Sequence, residues 1–213
     1  MFDKLFGASI DDHGKIFYPV LFVVILISTT FFFFDYIVIN IMGEYVNFPL
    51  GLILFPMTFS ITNIMQYNYG KLFANTVVRY GFLGDLLLVS ISYILSVIGN
   101  RNDYLSVYKE IPSIMILTFV FVFISNSINI FIFEKTKGSG FFKFFIAAFL
   151  SEMSISLISI PLMYYVNGIN NNLLLSIVTV VVYKLLFSLV LSILISIQIR
   201  RNNRRQVQYF DLS

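Results

Sequence analysis

The chain contains no cysteine, no tryptophan and a single histidine among its 213 residues. Without cysteine it can form neither disulfides nor thiolate metal sites, and the lone His13 cannot supply the several ligands of a haem or zinc site. Charged residues are scarce at 12% of the sequence, whereas soluble domains carry roughly 25%. Hydrophobic residues make up 58%. This composition excludes an ordinary soluble globule and a disordered chain, and it is typical of a polytopic membrane protein.

Six hydrophobic runs are each long enough to cross a bilayer as a helix, which takes about 20 predominantly apolar residues. Continuous runs of this kind differ from the shorter, alternating strands of a membrane barrel. We therefore predict an all-α fold with six transmembrane helices within residues 17–199, between an N-terminal tail (1–16) and a basic C-terminal tail (200–213). The predicted spans are residues 17–42, 48–69, 77–98, 111–133, 142–166 and 173–199.

Lysine and arginine are distributed unevenly between the predicted loops. Eleven lie in the two tails and in the second and fourth loops, whereas only Arg101 and Lys109 lie on the other side. Because cytoplasmic loops carry an excess of basic residues, we expect both termini in the cytoplasm. The arginines at 200–205 directly follow a span, which favours a topology anchor over a nucleic-acid-binding tail.

Four ionisable side chains fall inside the predicted spans, where their cost makes them candidates for a functional role. Asp35 and Asp85 are expected nearer an interface, where a solvated helix end explains them equally well. Glu152 and Lys184 are expected near the midplane on consecutive helices. There they either pair directly or flank one cavity.

Polar residues extend these positions into faces on four helices at helical spacing. Hydrogen bonds between helices are one explanation, because Ser, Thr and Asn commonly form them in membranes. Opposite charges at mid-depth, together with several polar faces, instead favour a central cavity for a small polar solute. The faces consist of Thr58, Thr62, Asn63 and Gln66; Asn126 and Asn129; Glu152, Ser156 and Ser159; and Lys184, Ser188, Ser192 and Ser196.

One segment resembles the signature of the VUT-type family of queuosine-precursor transporters. Residues 55–71 read FPMTFSITNIMQYNYGK, where the family has approximately F-P-L-T-F-x-x-T-D-x-x-x-E-x-Y-G-K. Weaker similarity continues in residues 124–137, at the Ser151-Glu152 pair and around Lys184. The resemblance covers most of the chain, and it implies a transporter in a bacterial cytoplasmic (inner) membrane. Because the sequence contains no HExxH or GxSxG motif and no cysteine, we expect no enzyme activity, cofactor or metal.

The chain departs from the family pattern at several acidic positions. The family's acids are replaced by Asn63 and Tyr67 in the second helix and by Asn129 in the fourth, and its glutamines by Asn126 and Glu152. The chain is therefore a divergent member of the family. In it, Glu152 remains as a deep acid that can accept two hydrogen bonds from the N–H edge of a 7-deazaguanine ring.

The predicted function is import of a small heterocyclic solute, by resemblance a queuosine precursor such as a 7-deazaguanine base. Alternating access around a midplane site is the expected mechanism, and Lys184 either holds Glu152 ionised or carries a proton itself. The expected partners are the solute and the lipid bilayer, without nucleic acid. The predicted substrate-binding residues are Asn63, Asn126, Asn129, Glu152 and Lys184.

Two alternatives stay open at the level of sequence. The chain has no Walker A motif, so one alternative is a substrate-binding membrane subunit that is energised by a separate ATPase. The other is a membrane scaffold or assembly protein that transports nothing. The lost family acids favour the scaffold, and the deep Glu152 and Lys184 argue against it.

Overall fold

The computed structural model of the chain is mostly helical. It describes residues 10–32, 36–41, 43–99, 111–138, 140–166 and 172–210. Within these ranges lie six helices and one β-hairpin. In chain order they are α1 (Ile10–Phe31), β1 (Tyr36–Ile41), β2 (Glu44–Pro49), α2 (Gly51–Tyr69), α3 (Lys71–Ile98), α4 (Ile111–Lys135), α5 (Gly140–Val166) and α6 (Leu173–Phe210).

Four of these helices contain segments that are long and apolar enough to cross a membrane, so the protein is a multi-pass membrane protein. The helices α2 and α4 occupy the places of the second and fourth predicted spans, and the count of six spans stays a prediction. The four segments are His13–Phe31, Lys71–Ile98, Gly140–Pro161 and Leu173–Ile197.

The helix α2 is the most enclosed, because it packs against each of the other five helices. Its residues Phe55, Phe59 and Met65 are buried among apolar neighbours from α1, α3, α4 and α5. Its polar residues Thr58, Thr62 and Asn63 are therefore buried inside the bundle rather than exposed to lipid.

The first predicted span is wrong in its C-terminal third. Residues 17–42 were expected to form one helix, but α1 ends at Phe31 and the chain continues as the antiparallel pair β1–β2. A short apolar run rich in β-branched residues, such as Ile37 and Val38, is compatible with either a helix or a strand. Asp35, one of the four ionisable candidates, lies outside the described residues.

The turn chemistry of the hairpin explains why the strand is preferred. Ile41 pairs with Glu44, so two residues connect the strands. Gly43 adopts a φ of 90° there, in a region that residues with a Cβ rarely occupy. Its N–H donates to Asn40 Oδ1 at 3.0 Å. A tight turn of this kind reverses the chain and cannot be continued as a helix.

The hairpin packs against one end of the helices. Phe48 of β2 lies in an apolar cluster with Ile160 and Tyr164, near the end of α5, and with Val180, near the start of α6. Its ring meets that of Tyr183 edge to face, with centroids 5.2 Å apart. The hairpin therefore covers the end at which α5 finishes and α6 begins.

The opposite end carries basic residues that were predicted for loops on one side of the membrane. Lys71, at the start of α3, pairs with Glu134 near the end of α4. Lys143 of α5 lies over the ring of Phe133, 4.5 Å from its centroid. Basic residues of the second and fourth predicted loops thus come together at one end. Which side of the membrane this end faces stays a prediction.

Two helices extend beyond their predicted spans. The last helix, α6, continues to Phe210 and includes the basic segment 200–205. The helix α3 begins at Lys71 rather than at residue 77. Asp85 therefore lies near the middle of α3, about 21 Å from its start at 1.5 Å per residue, and its predicted place nearer a membrane interface stays a prediction.

Candidate functional site

The five site residues predicted from the sequence are all fully buried, each with an exposed fraction of 0%. Gln66, one turn after Asn63 on α2, is buried beside them. All six carry polar or charged groups away from solvent, and they lie on four different helices. We refer to them as the central polar cluster: Asn63 and Gln66 on α2, Asn126 and Asn129 on α4, Glu152 on α5, and Lys184 on α6.

Amide side chains connect α2 to α4. Asn129 Nδ2 donates to Asn63 Oδ1 at 2.9 Å and also approaches the carbonyl of Phe59 at 3.5 Å. One turn further along, Gln66 Nε2 donates to the carbonyl of Ile130 at 3.1 Å. These bonds use only part of the capacity of each amide. Within the described ranges, Asn63 Nδ2, Asn129 Oδ1 and Gln66 Oε1 have no hydrogen-bond partner.

A glutamate and a lysine face each other across α5 and α6. Glu152 Oε1 accepts a hydrogen bond from Ser188 Oγ at 3.1 Å, and Ser188 lies one turn after Lys184 on α6. The carboxylate and the ammonium interact electrostatically. However, Glu152 Oε2 and Lys184 Nζ have no hydrogen-bond partner in the part of the chain that the structure describes. The two groups therefore interact electrostatically without a direct hydrogen bond between them, and whether they flank one cavity stays a prediction.

The helix α2 joins the amide pair to the charged pair. Lys184 Nζ lies 5.8 Å from the ring centroid of Phe55, within the range of a cation–π contact. The rings of Phe55 and Phe59 meet edge to face at 5.1 Å, and Asn129 approaches the Phe59 carbonyl. The segment from Phe55 to Asn63 thus contacts both halves of the cluster.

Some other members of the predicted polar faces donate within their own helices, whereas Ser159 Oγ and Ser196 Oγ have no hydrogen-bond partner among the described residues. Thr58 Oγ1 donates to the carbonyl of Phe55 at 2.7 Å, and Thr62 Oγ1 donates to the carbonyl of Thr58 at 2.8 Å. Ser156 Oγ donates to the Glu152 carbonyl at 2.7 Å. A hydroxyl whose hydrogen is used by a carbonyl of its own helix has no hydrogen left to donate to a ligand and can only accept. The sequence pattern alone could not separate them from the cluster.

Sequence reasoning missed two features of the site. Gln66 belongs to the cluster although it was treated only as part of a polar face; its spacing of three residues from Asn63 was the available signal. Phe55 contributes the aromatic surface against Lys184. Phe55 is the first residue of the family-like segment 55–71, but that resemblance did not indicate a contact with Lys184.

The fold and this buried constellation define a multi-pass membrane protein with a polar site enclosed by its helices. A family model described as "Putative vitamin uptake transporter" matches residues 49–198. The match covers well over half of the chain, and the protein belongs to this family, which confirms the VUT-type resemblance. The matched region begins at the end of β2 and contains the whole central polar cluster. No curated protein and no solved structure matches the chain.

Proposed function

We propose that the protein imports a small polar heterocycle, which binds at the central polar cluster. One observation carries this proposal: five buried polar atoms on four helices have hydrogen-bonding capacity that no described protein group uses. Each such group costs about 1–3 kcal/mol when it is buried unpaired, and charged groups cost more. The atoms are Asn63 Nδ2, Gln66 Oε1, Asn129 Oδ1, Glu152 Oε2 and Lys184 Nζ.

The chemistry of these atoms favours a solute with both donors and acceptors. Asn63 Nδ2 and Lys184 Nζ donate, whereas the amide oxygens and the Glu152 carboxylate accept. A carboxylate can accept two parallel hydrogen bonds from adjacent N–H groups, which is the pattern at the edge of a guanine-type ring. Phe55 offers an aromatic surface beside the charged pair. By family resemblance, the solute is a queuosine precursor with a 7-deazaguanine ring.

The mechanism that we propose is alternating access between the two ends of the helices. The hairpin covers one end, and basic residues such as Lys71 and Lys143 mark the other. The positive-inside rule assigns the basic end to the cytoplasm, which implies six spans with both termini inside. The solute then enters from the hairpin end and leaves at the basic end.

A membrane scaffold is disfavoured by the same observation. A scaffold gains nothing from Glu152 and Lys184, because a buried ion pair is often replaced by apolar residues without loss of stability. The other alternative, a substrate-binding subunit of an ATP-driven importer, can be distinguished from an independent transporter by experiment. Its uptake would require a separate ATPase, and the purified chain would still bind the solute.

The test is binding of 7-deazaguanine to the detergent-purified protein, measured by thermal shift. A ligand that binds the folded state stabilises it by about 2.7 kcal/mol at a hundredfold excess over its Kd, so the midpoint should rise with concentration. Glu152→Gln keeps the shape but removes the charge, and it should abolish most of this rise. Ser154→Ala is the matched control, because that hydroxyl donates to Leu150 within α5.

Two results would contradict the proposal. If the melting midpoint of the folded wild-type protein did not change with added 7-deazaguanine, this substrate class would be excluded. An equal rise in wild type and Glu152→Gln would place the base elsewhere in the protein.

A further inference from the structure

A second buried acid lies outside the central polar cluster. Asp85 of α3 is only 1% exposed. The helix α3 packs against α1, α2 and α4, and the cluster has no member on α1 or α3. Asp85 is therefore a deep ionisable group that substrate binding does not use.

The carboxylate of Asp85 has one partner on a neighbouring helix. Thr30 Oγ1 of α1 lies 2.7 Å from Asp85 Oδ2, and the same hydroxyl oxygen lies 3.1 Å from the carbonyl of Leu26. Asp85 Oδ1 is buried and has no hydrogen-bond partner among the residues that the structure describes. Thr30 is thus positioned between two acceptors while it owns only one hydrogen.

This geometry accommodates both protonation states of the acid. When Asp85 is ionised, the Thr30 hydroxyl donates to Oδ2. When Asp85 is protonated, its own O–H donates to Thr30 Oγ1, and the Thr30 hydrogen turns to the Leu26 carbonyl. A hydroxyl can do this because it has one donor and two acceptor lone pairs. A proton can therefore bind and leave while the contact between α1 and α3 persists.

The surroundings favour a proton over a metal ion at this place. A carboxylate and one hydroxyl supply too few oxygens for a hard cation, which takes about six ligands. Within the described ranges, no charged group of α1, α2 or α4 interacts electrostatically with Asp85. Asp85 lies about 21 Å along α3 from Lys71, and its partner Thr30 is one residue before the end of α1, so the site is nearer the hairpin end than the basic end. Buried acids within the membrane-spanning helices of transporters are typical of proton relays.

We propose that Asp85 and Thr30 form a proton-binding site through which a proton gradient drives transport. The coupling half of this proposal rests on the proposed function. The helix α2 provides the physical connection, because it packs against α1 and α3 on one side and carries Asn63 and Gln66 of the cluster. The change in the charge of Asp85 and in its hydrogen bond to Thr30 on proton binding therefore acts on two helices that pack directly against α2.

The first experiment needs no substrate. In an infrared pH titration of the lipid-reconstituted protein, Asp85 should give a carboxylic C=O band that appears on acidification. Asp85→Asn should remove this band, and Thr30→Val should shift it because the hydrogen bond is lost. Ser90→Ala is the matched control on α3, since its exposed hydroxyl donates to Leu86. A titration that is identical in wild type and Asp85→Asn would overturn the proton site.

If Asp85→Asn does not fold, the frequency of the carboxylic C=O band in Thr30→Val provides a second test. A band that stays at the wild-type frequency in Thr30→Val would show that the hydroxyl does not contact a titrating acid. That outcome overturns the proposal as well.

The second experiment separates coupling from solute binding in proteoliposomes with labelled 7-deazaguanine. Exchange of internal for external base needs the binding site but no gradient, whereas accumulation against a gradient needs both. Asp85→Asn should keep exchange and lose accumulation by roughly tenfold or more, the usual range of a coupling free energy. Glu152→Gln should lose both activities.

Each outcome has a distinct meaning. The coupling role would be overturned if Asp85→Asn accumulated the base to the wild-type level. It would also be overturned if Asp85→Asn lost exchange as well as accumulation. Absence of exchange in the wild-type protein would contradict the proposed function with this base, and the infrared result would still decide whether Asp85 binds a proton.

Discussion

Two sets of polar residues are buried on the same helices, and they differ in what their atoms contact. In the first set, which includes Thr58, Thr62 and Ser156, each hydroxyl donates to a carbonyl of its own helix. In the second, the central polar cluster, amide and charged groups keep unused capacity in the described part of the chain. Burial of a polar residue in a membrane helix therefore does not by itself indicate a functional site. The capacity that remains after the helices have packed is the better criterion.

The largest expected effect comes from breaking the charged pair. Lys184→Met removes the ammonium and leaves Glu152 as a buried, uncompensated acid. We expect a loss of about 3 kcal/mol in stability, since removal of one partner from a buried pair is strongly destabilising. The measurement is the midpoint of thermal aggregation of the purified protein. The double change Glu152→Leu with Lys184→Met should recover the midpoint and still abolish uptake; recovered uptake would show that the pair does not bind the solute.

A smaller effect is expected from the amide pair. Asn129→Leu removes the donor to Asn63 Oδ1 and leaves that oxygen buried without its bond. The expected cost is about 1–2 kcal/mol in solute affinity or stability, measured as a higher Kd for 7-deazaguanine and a lower midpoint. The matched control is Ser127→Ala on the same helix, whose exposed hydroxyl donates to the Phe123 carbonyl. An unchanged Kd in Asn129→Leu would remove this residue from the site.

Substitution of a hydroxyl residue of the first set, such as Thr58, should have only a weak effect on stability and uptake. Thr58→Val loses a bond to the Phe55 carbonyl, and we expect a change in stability of about 0.5–1 kcal/mol with uptake preserved. Stability and uptake should be measured on the same preparation. If Thr58→Val lost as much uptake as Lys184→Met, a hydroxyl with an intrahelical bond would still take part in transport, contrary to this expectation.

The smallest effect is expected at the exposed ion pair of Lys71 and Glu134. The hydrogen bond from Lys71 holds the pKa of Glu134 below its ordinary value of 4.5. Because this pKa is lowered in the folded protein, the contribution of the pair is present above the ordinary value and is lost as the pH falls below it. Glu134→Gln should therefore remove a small, salt-sensitive part of the acid dependence of the melting midpoint. An unchanged acid dependence would show that the pair contributes nothing measurable.

Much of this architecture could be predicted from the sequence, because helices that face lipid need long apolar runs. The starts of α4 and α6 and the end of α2 agree with the predicted spans, and the five predicted site residues are buried. The start of α3 was missed because Asn75, Thr76 and Arg79 resemble a loop, although they continue the helix on an exposed or half-buried surface. As a result, the position of Asp85 along α3 was also missed.

Other features depend on contacts that a pattern of hydrophobicity does not contain. The hairpin was missed because β1 continues an apolar run without a strong turn signal, and only the contact of Asn40 with Gly43 and the packing of Phe48 decide the conformation. The bond between Asn63 and Asn129 likewise depends on the rotation of α2 relative to α4. Residue spacing fixes which side chains share a face, but not what that face meets.

The hairpin also indicates where the hydrocarbon core of the bilayer ends. A two-stranded sheet has two open edges, whose free N–H and C=O groups need water because hydrocarbon cannot satisfy them. The strands β1 and β2 must therefore lie at or beyond the headgroup layer. Tyr36 and Tyr45, which are 49% and 60% exposed, carry the amphipathic rings that favour this layer. The hairpin thus fixes where the hydrocarbon ends on its side, and the bilayer thickness is counted from there towards Lys71.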